Sequence, residues 1–269
     1  MTLPPENWIG RTTIRDDVVT PRLVAEFRAT LAPHLFEPES GGECPPGLHW
    51  GVAPAIPAMG GLGEDGAEAK GIFLPPVALP RRMWAGGRVE TIRPLTIGAA
   101  VRRVSTVVDV GMREGKSGPL CFISVTHEIS CAGALAIRER HDIVFRGKSL
   151  APAAPAVAMP RGDLVWRIDP TPVLLFRFSA FTFNGHRIHY DQDYATRTEG
   201  YGGVLVHGPL QAALLLNQLS VLAGAVPKTF DYRCLAPLVA GRTFRVVGTG
   251  PRSCIVDADG AVTAEGRAL

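Results

Sequence analysis

Two stretches of the chain alternate apolar and polar residues in the same way. VETIRPLTIGAAVRRVSTV (89–107) and TFDYRCLAPLVAGRTFRVVGTG (229–250) both carry Pro-Leu-x-x-Gly before an alternating run. Pro94, Leu95 and Gly98 match Pro237, Leu238 and Gly241 at one constant offset, and Val101, Arg102 and Val104 then fall on Phe244, Arg245 and Val247 without a gap. Further on, LCFISV (120–125) resembles SCIVDA (253–258), and GALAIRE (133–139) resembles GAVTAEG (260–266). Each block reads as strand, glycine turn, long strand, turn, strand, turn, strand. Short alternating runs between turns are what an antiparallel sheet requires.

Helical periodicity precedes each block. Thr20-Pro21 supplies an N-cap and a first-turn proline, and Leu23, Phe27 and Leu31 then lie on one face. Gly208-Pro209 opens LQAALLLNQLSVLAG, apolar nearly all round and closed by Gly224, so this helix is expected to be wrapped on all sides. VLLFRFSAF (173–181) reads as a strand that breaks at Asn184-Gly185. The pattern predicts an α+β fold made twice, with two antiparallel sheets each wrapping a central helix. The expected organisation is a first half at 1–150, a Gly/Pro-rich linker at 151–163 and a second half at 164–269. The stretch 40–80 is also rich in Gly and Pro. It is longer than an idle loop and suggests a lid or a substrate wall.

Composition narrows the classes. The chain has 269 residues, 46% hydrophobic, with 30 Gly, 23 Pro and a net charge of +3. That supports a real core and many turns. The arginines are scattered, without the single-sign blocks of a nucleic-acid tail, so no nucleic-acid partner is expected and a small anionic ligand is. The five cysteines include no CxxC pair and no zinc spacing, so no metal is expected. No apolar run reaches the about 18 residues of a membrane span, and MTLPPENWIGRTT lacks a signal-peptide core, which points to a reduced, cytoplasmic protein.

The densest chemistry is NGHRIHYD (184–191), followed by VHGPL (206–210). His189 is the side chain that can take and give a proton near neutral pH. Gly208 stands at the start of the buried helix, where unsatisfied N–H groups and a positive partial charge favour an oxyanion, and where a missing side chain lets a ligand come close. Asp191 either orients an imidazole or caps a helix at YATRTE, and the cap is the preferred reading. Arg187 and Tyr190 alternate with His186 and His189, which would point them the other way, into structural roles.

NGHRIHYD and HGPL resemble the hotdog-fold hydratases and dehydratases of the MaoC-like superfamily. There, a D-x-N-P-[IL]-H-x-D segment supplies an Asp and a His, and a later His-Gly supplies an oxyanion N–H. The resemblance places His189 on the family histidine, Gly208 (after His207) on the oxyanion glycine, His186 on the asparagine and Arg187 on the proline. It places Asn184 on the catalytic aspartate. Asn cannot exchange a proton, only hold water or a substrate oxygen. The whole phrase, with LPPVALPRRMWAGG (74–87), is similar to the 3-methylfumaryl-CoA (mesaconyl-C4-CoA) hydratases and the mitochondrial-type 3-hydroxyacyl-thioester dehydratases. The resemblance implies a double hotdog with a degenerate first half. It implies water addition to an α,β-unsaturated acyl-CoA with no cofactor beyond the CoA thioester. His189, Asn184 and Gly208 would be catalytic, and His186, Arg187, Tyr190, His207, Arg81 and Arg82 would line the substrate. A monomer or a homodimer would suit it. A hotdog thioesterase using Asp191, Asp193 or Glu199 and a non-catalytic acyl-binding subunit are the rival classes.

Overall fold

The computed structural model describes residues 4–115, 118–147 and 162–269. Five strands form the first half: β1 (Thr12–Val18), β2 (Arg81–Thr91), β3 (Ala100–Gly115), β4 (Gly118–Cys131) and β5 (Ala134–Arg146). Five form the second: β6 (Leu164–Ile168), β7 (Thr229–Cys234), β8 (Phe244–Thr249), β9 (Arg252–Val256) and β10 (Val262–Ala268). The α-helices are α1 (Pro21–Leu31), α2 (Pro172–Phe181) and α3 (Gly208–Ala223). The expected linker lies outside the described residues except at its last two positions.

The repeat seen in the sequence is the symmetry of the sheet. All ten strands form one antiparallel sheet, joined where β2 meets β7. Outward from that seam the first half runs β2-β5-β4-β3-β1 and the second β7-β10-β9-β8-β6, the same order. Pairing at the seam runs from Gly86↔Arg233 to Glu90↔Thr229 and centres on Arg88↔Asp231. Those two residues are 143 apart, the offset of the repeat, so each sits opposite its own counterpart, and they form an ion pair at 2.6 Å. Gly98 and Gly241 both turn with positive φ (85° and 93°), where a side chain would be strained.

The α+β double hotdog stands, with three local differences. The halves share one continuous sheet. Residues 172–181 form a helix, not a strand: Thr171 caps it, accepting from the Leu174 N–H, just as Thr20 accepts from Leu23 at the start of α1. The two Thr-Pro helices pack on each other, so α1 corresponds to α2 and not to α3. Among the described residues, only the second half wraps a long central helix. α3 is buried along most of its length and packs on β8, β9 and β10. Its polar side chains are bonded internally: Asn217 accepts from Phe36 N and donates to Pro46 O, and Gln218 donates to Val246 O and accepts from Ser253. In the first half, no helix fills the equivalent place. A 3₁₀ turn at Leu48–Gly51 and irregular chain run there instead.

Candidate active site

The absent helix leaves a cavity of about 820 Å3 spanning the seam. Asn184, His186, His189, Tyr190 and Gly208 line it from the second half, and Arg82 and Trp84 from the first. Residues 53–74 supply much of one wall, including Pro54, Met59, Leu62 and Phe73, so the wall reading of the 40–80 stretch holds for this part. Met59, Phe176, Phe183 and Tyr190 are lining residues that remain exposed and mark the opening.

Local hydrogen bonding fixes the groups expected to react. After α2 the chain turns back: Asn184 N donates to Ser179 O, and Asn184 Oδ1 accepts from His186 N at 2.9 Å. That leaves the Asn184 amide NH2 as the end free to meet a ligand. His189 ends a 3₁₀ turn, Arg187–His189. Leu205 N donates to Ile188 O, and His189 Nδ1 lies 2.8 Å from Leu205 O. A carbonyl only accepts, so Nδ1 carries the proton and Nε2 the lone pair. The ring stacks on His207 at 3.7 Å, and His186 meets its edge at 5.5 Å. Burial holds His189 down to about 4, against one raising contact, the Leu205 carbonyl, so the imidazole is neutral at pH 7. His186 and His207 are pushed down by burial and then by their histidine neighbours.

Gly208 is the first residue of α3, so its N–H has no partner within the helix. Packing gives a further reason for glycine. A Cβ here would stand 2.7 Å from Trp84 Cβ, so the ring from the other half occupies that side.

Three expected contacts stand elsewhere. Arg187 turns from the cavity to Asp191 (2.7 Å) and over the Tyr194 ring, because its guanidinium finds both within its own turn. Arg81 is buried against Glu199 and Tyr201. His207 lies behind His189, with Nε2 2.8 Å from Ser179 Oγ, and supports the imidazole without reaching the cavity. Arg82 does line the cavity, but Asp65 stands 3.6 Å from it and Glu68 O accepts from it. Asp191 takes the capping role: its Oδ1 accepts from Tyr194 N.

Sequence reasoning missed a polar band on the inner face of the first half. Arg103, Ser105, His127 and His141 line the same cavity, and Glu139 lies behind them, accepting from Trp50 Nε1 and the Tyr232 hydroxyl. Tyr232 accepts in turn from Trp84 Nε1, which fixes the ring that presses on Gly208. The signal was in the alternation. Arg103 and Ser105 fall between Val101 and Val107, and His127 between Val125 and Ile129, all at positions whose parity points inward.

Residues 47–240 match the model of the family "Hydroxyacyl-thioester dehydratase type 2". The chain belongs to the type 2 hydroxyacyl-thioester dehydratase family. It is 39% identical over 244 residues to the mesaconyl-C(4)-CoA hydratase of Chloroflexus aurantiacus, covering 89% of this chain and 87% of that one. To the mitochondrial type 2 hydroxyacyl-thioester dehydratase of Schizosaccharomyces pombe it is 34% identical over 87 residues, 30% of this chain and 28% of that one. Among solved structures, HtdX of Mycobacterium tuberculosis superposes with a TM-score of 0.68 at 17% identity, covering 96% of this chain and all of that one, and shares the fold. As a type 2 dehydratase relative, the chain is a hydro-lyase of the hydratase/dehydratase kind. Among the described residues, no helix is long and apolar enough to cross a membrane.

Proposed function

We propose that this chain catalyses the reversible hydration of an α,β-unsaturated acyl-CoA, most fittingly a short dicarboxylic one such as mesaconyl-C4-CoA. The observation that carries the reading is one cavity lined by a neutral imidazole with a fixed lone pair, a carboxamide donor and the first amide of a buried helix. The 39% identity to a mesaconyl-C(4)-CoA hydratase supports the choice of acyl group.

In this mechanism the thioester carbonyl accepts from the Gly208 N–H. Negative charge grows on that oxygen as water adds at Cβ, and the α3 N-terminus favours it. Asn184 orients the water. His189 Nε2 takes one proton from it as the C–O bond forms, and the imidazolium returns that proton to Cα. Dehydration is the same path reversed. The thioester acidifies Cα, so the proposal calls on no cofactor. The second half, 164–269, supplies the reacting groups, and the first half, 1–150, supplies the wall. The carboxylates a thioesterase would use face other partners: Asp191 caps its turn, Asp193 pairs with Arg197 and Glu199 with Arg81.

The test is incubation with mesaconyl-C4-CoA and crotonyl-CoA, followed by mass spectrometry and a thiol assay. A gain of one water without thiol release is expected, larger for mesaconyl-C4-CoA. Free thiol without hydration would establish a thioesterase, and a preference for crotonyl-CoA would move the substrate to the fatty-acid type.

A further inference from the structure

Where the first half lacks its helix, the inner face of the sheet is open to the cavity, and that face is not apolar. Arg103 on β3 stands directly opposite Arg15 on β1. Like charges facing each other across strands are unfavourable unless something answers them. Glu68 lies 3.8 Å from Arg15, but none of the ion pairs among the described residues includes Arg103. Its one polar contact is a long one, 3.5 Å, to Val52 O. Beside it, His127 Nδ1 meets Ser105 Oγ at 2.8 Å, and Nε2 of both His127 and His141 is buried without a partner. Glu139, behind the band, offsets part of the Arg103 charge without forming an ion pair with it, but the two orphaned histidine nitrogens and the second guanidinium, Arg15, leave this pocket able to take a further acceptor.

Trp84, which presses on Gly208, stacks on His141 at 3.6 Å, and His141 lies 5.9 Å from His127. An acyl chain held by its carbonyl at Gly208 and running along Trp84 would end here. Ser105 and His127 are almost wholly buried, so the histidine side of this end is walled off from solvent.

We propose that this end of the cavity is a carboxylate subsite: Arg103, with Arg15, His127 and His141, holds the free carboxylate of a short dicarboxylic acyl-CoA while its thioester reacts at Gly208. The inference rests on the hydratase reading and names the residues that would select its substrate. A guanidinium fork fits a carboxylate in two bonds, and imidazole N–H groups complete the set. A phosphate of CoA has the same acceptor chemistry, so the experiment separates the two sources.

The test is calorimetric binding of succinyl-CoA and butyryl-CoA, which cannot be hydrated, to the full chain and to Arg103→Met and Arg103→Lys, with melting curves for each. The expected result is a preference of the native chain for succinyl-CoA that Arg103→Met reduces by about 30-fold or more and Arg103→Lys by less. If Arg103→Met does not fold, Arg103→Lys is read by the same ratio. Equal losses for both ligands would assign Arg103 to CoA phosphate or to the fold, and no loss would remove it from binding; either overturns the subsite. Hydration assays stand apart: no water added to mesaconyl-C4-CoA or crotonyl-CoA sinks the hydratase reading, while the succinyl-to-butyryl ratio still tests the subsite.

Discussion

Under the proposed mechanism an imidazole takes a proton from water, so it has to be neutral and aimed. Leu205 O aims His189 through Nδ1, and burial keeps the ring unprotonated down to about 4. His189→Ala is therefore expected to lower hydration kcat by about 10²–10⁴ with the melting temperature retained, measured on the acyl-CoA the native chain prefers. The acid limb of kcat/KM should lie well below the ordinary histidine range, near 4, because the group must be deprotonated and its folded pKa is depressed. A limb between pH 6 and 7 would show that another group takes the proton. At this scale the sequence was legible where chemistry clusters in one short phrase. Asn184, His186, His189 and Gly208 are within 25 positions and do share a cavity. Arg187 and Arg81 were not legible, because whether a guanidinium faces a ligand or a neighbouring carboxylate depends on partners as distant as Glu199.

At the level of elements, the strands were read best. β3 and β8, β4 and β9, and β5 and β10 fall where the repeated alternation put them. The short edge strands β1 and β6 were missed; both lie outside the repeated blocks, so no second copy reinforced their alternation. α2 was misread because a short apolar run with Val and Phe fits either periodicity. The deciding signal was Thr171-Pro172, the same cap as Thr20-Pro21. Thr171→Ala should lower stability by about 0.5–2 kcal/mol, measured by urea unfolding. A change near zero would mean that packing alone sets where α2 begins. Ser179, which meets His207, is carried by this helix, so the cap is part of what holds the imidazole stack in register.

Across the whole molecule, the histidines govern acid tolerance. All seven are held below their ordinary pKa, chiefly by burial; His49 and His141 are pushed down to about 3. An unfolded histidine binds its proton near pH 6.5, so below that value the unfolded chain holds more protons than the folded one. Stability then falls as pH falls, by about 1.4 kcal/mol per pH unit for each fully buried ring until its folded pKa is reached. Urea midpoints measured from pH 8 to pH 5 should be flat above pH 7 and drop steeply below 6.5. A level profile would mean that the rings are hydrated in solution. The vacated interior of the first half has a consequence for how such a chain can diverge. Wherever one copy of a repeat keeps its filling and the other is hollow, the reactive machinery and the chamber that measures the acyl tail belong to separate stretches of gene. Substitutions on the concave side of β3, β4 and β5 can re-line that chamber for a longer, shorter or uncharged tail, and leave the turn that aims the proton carrier as it was.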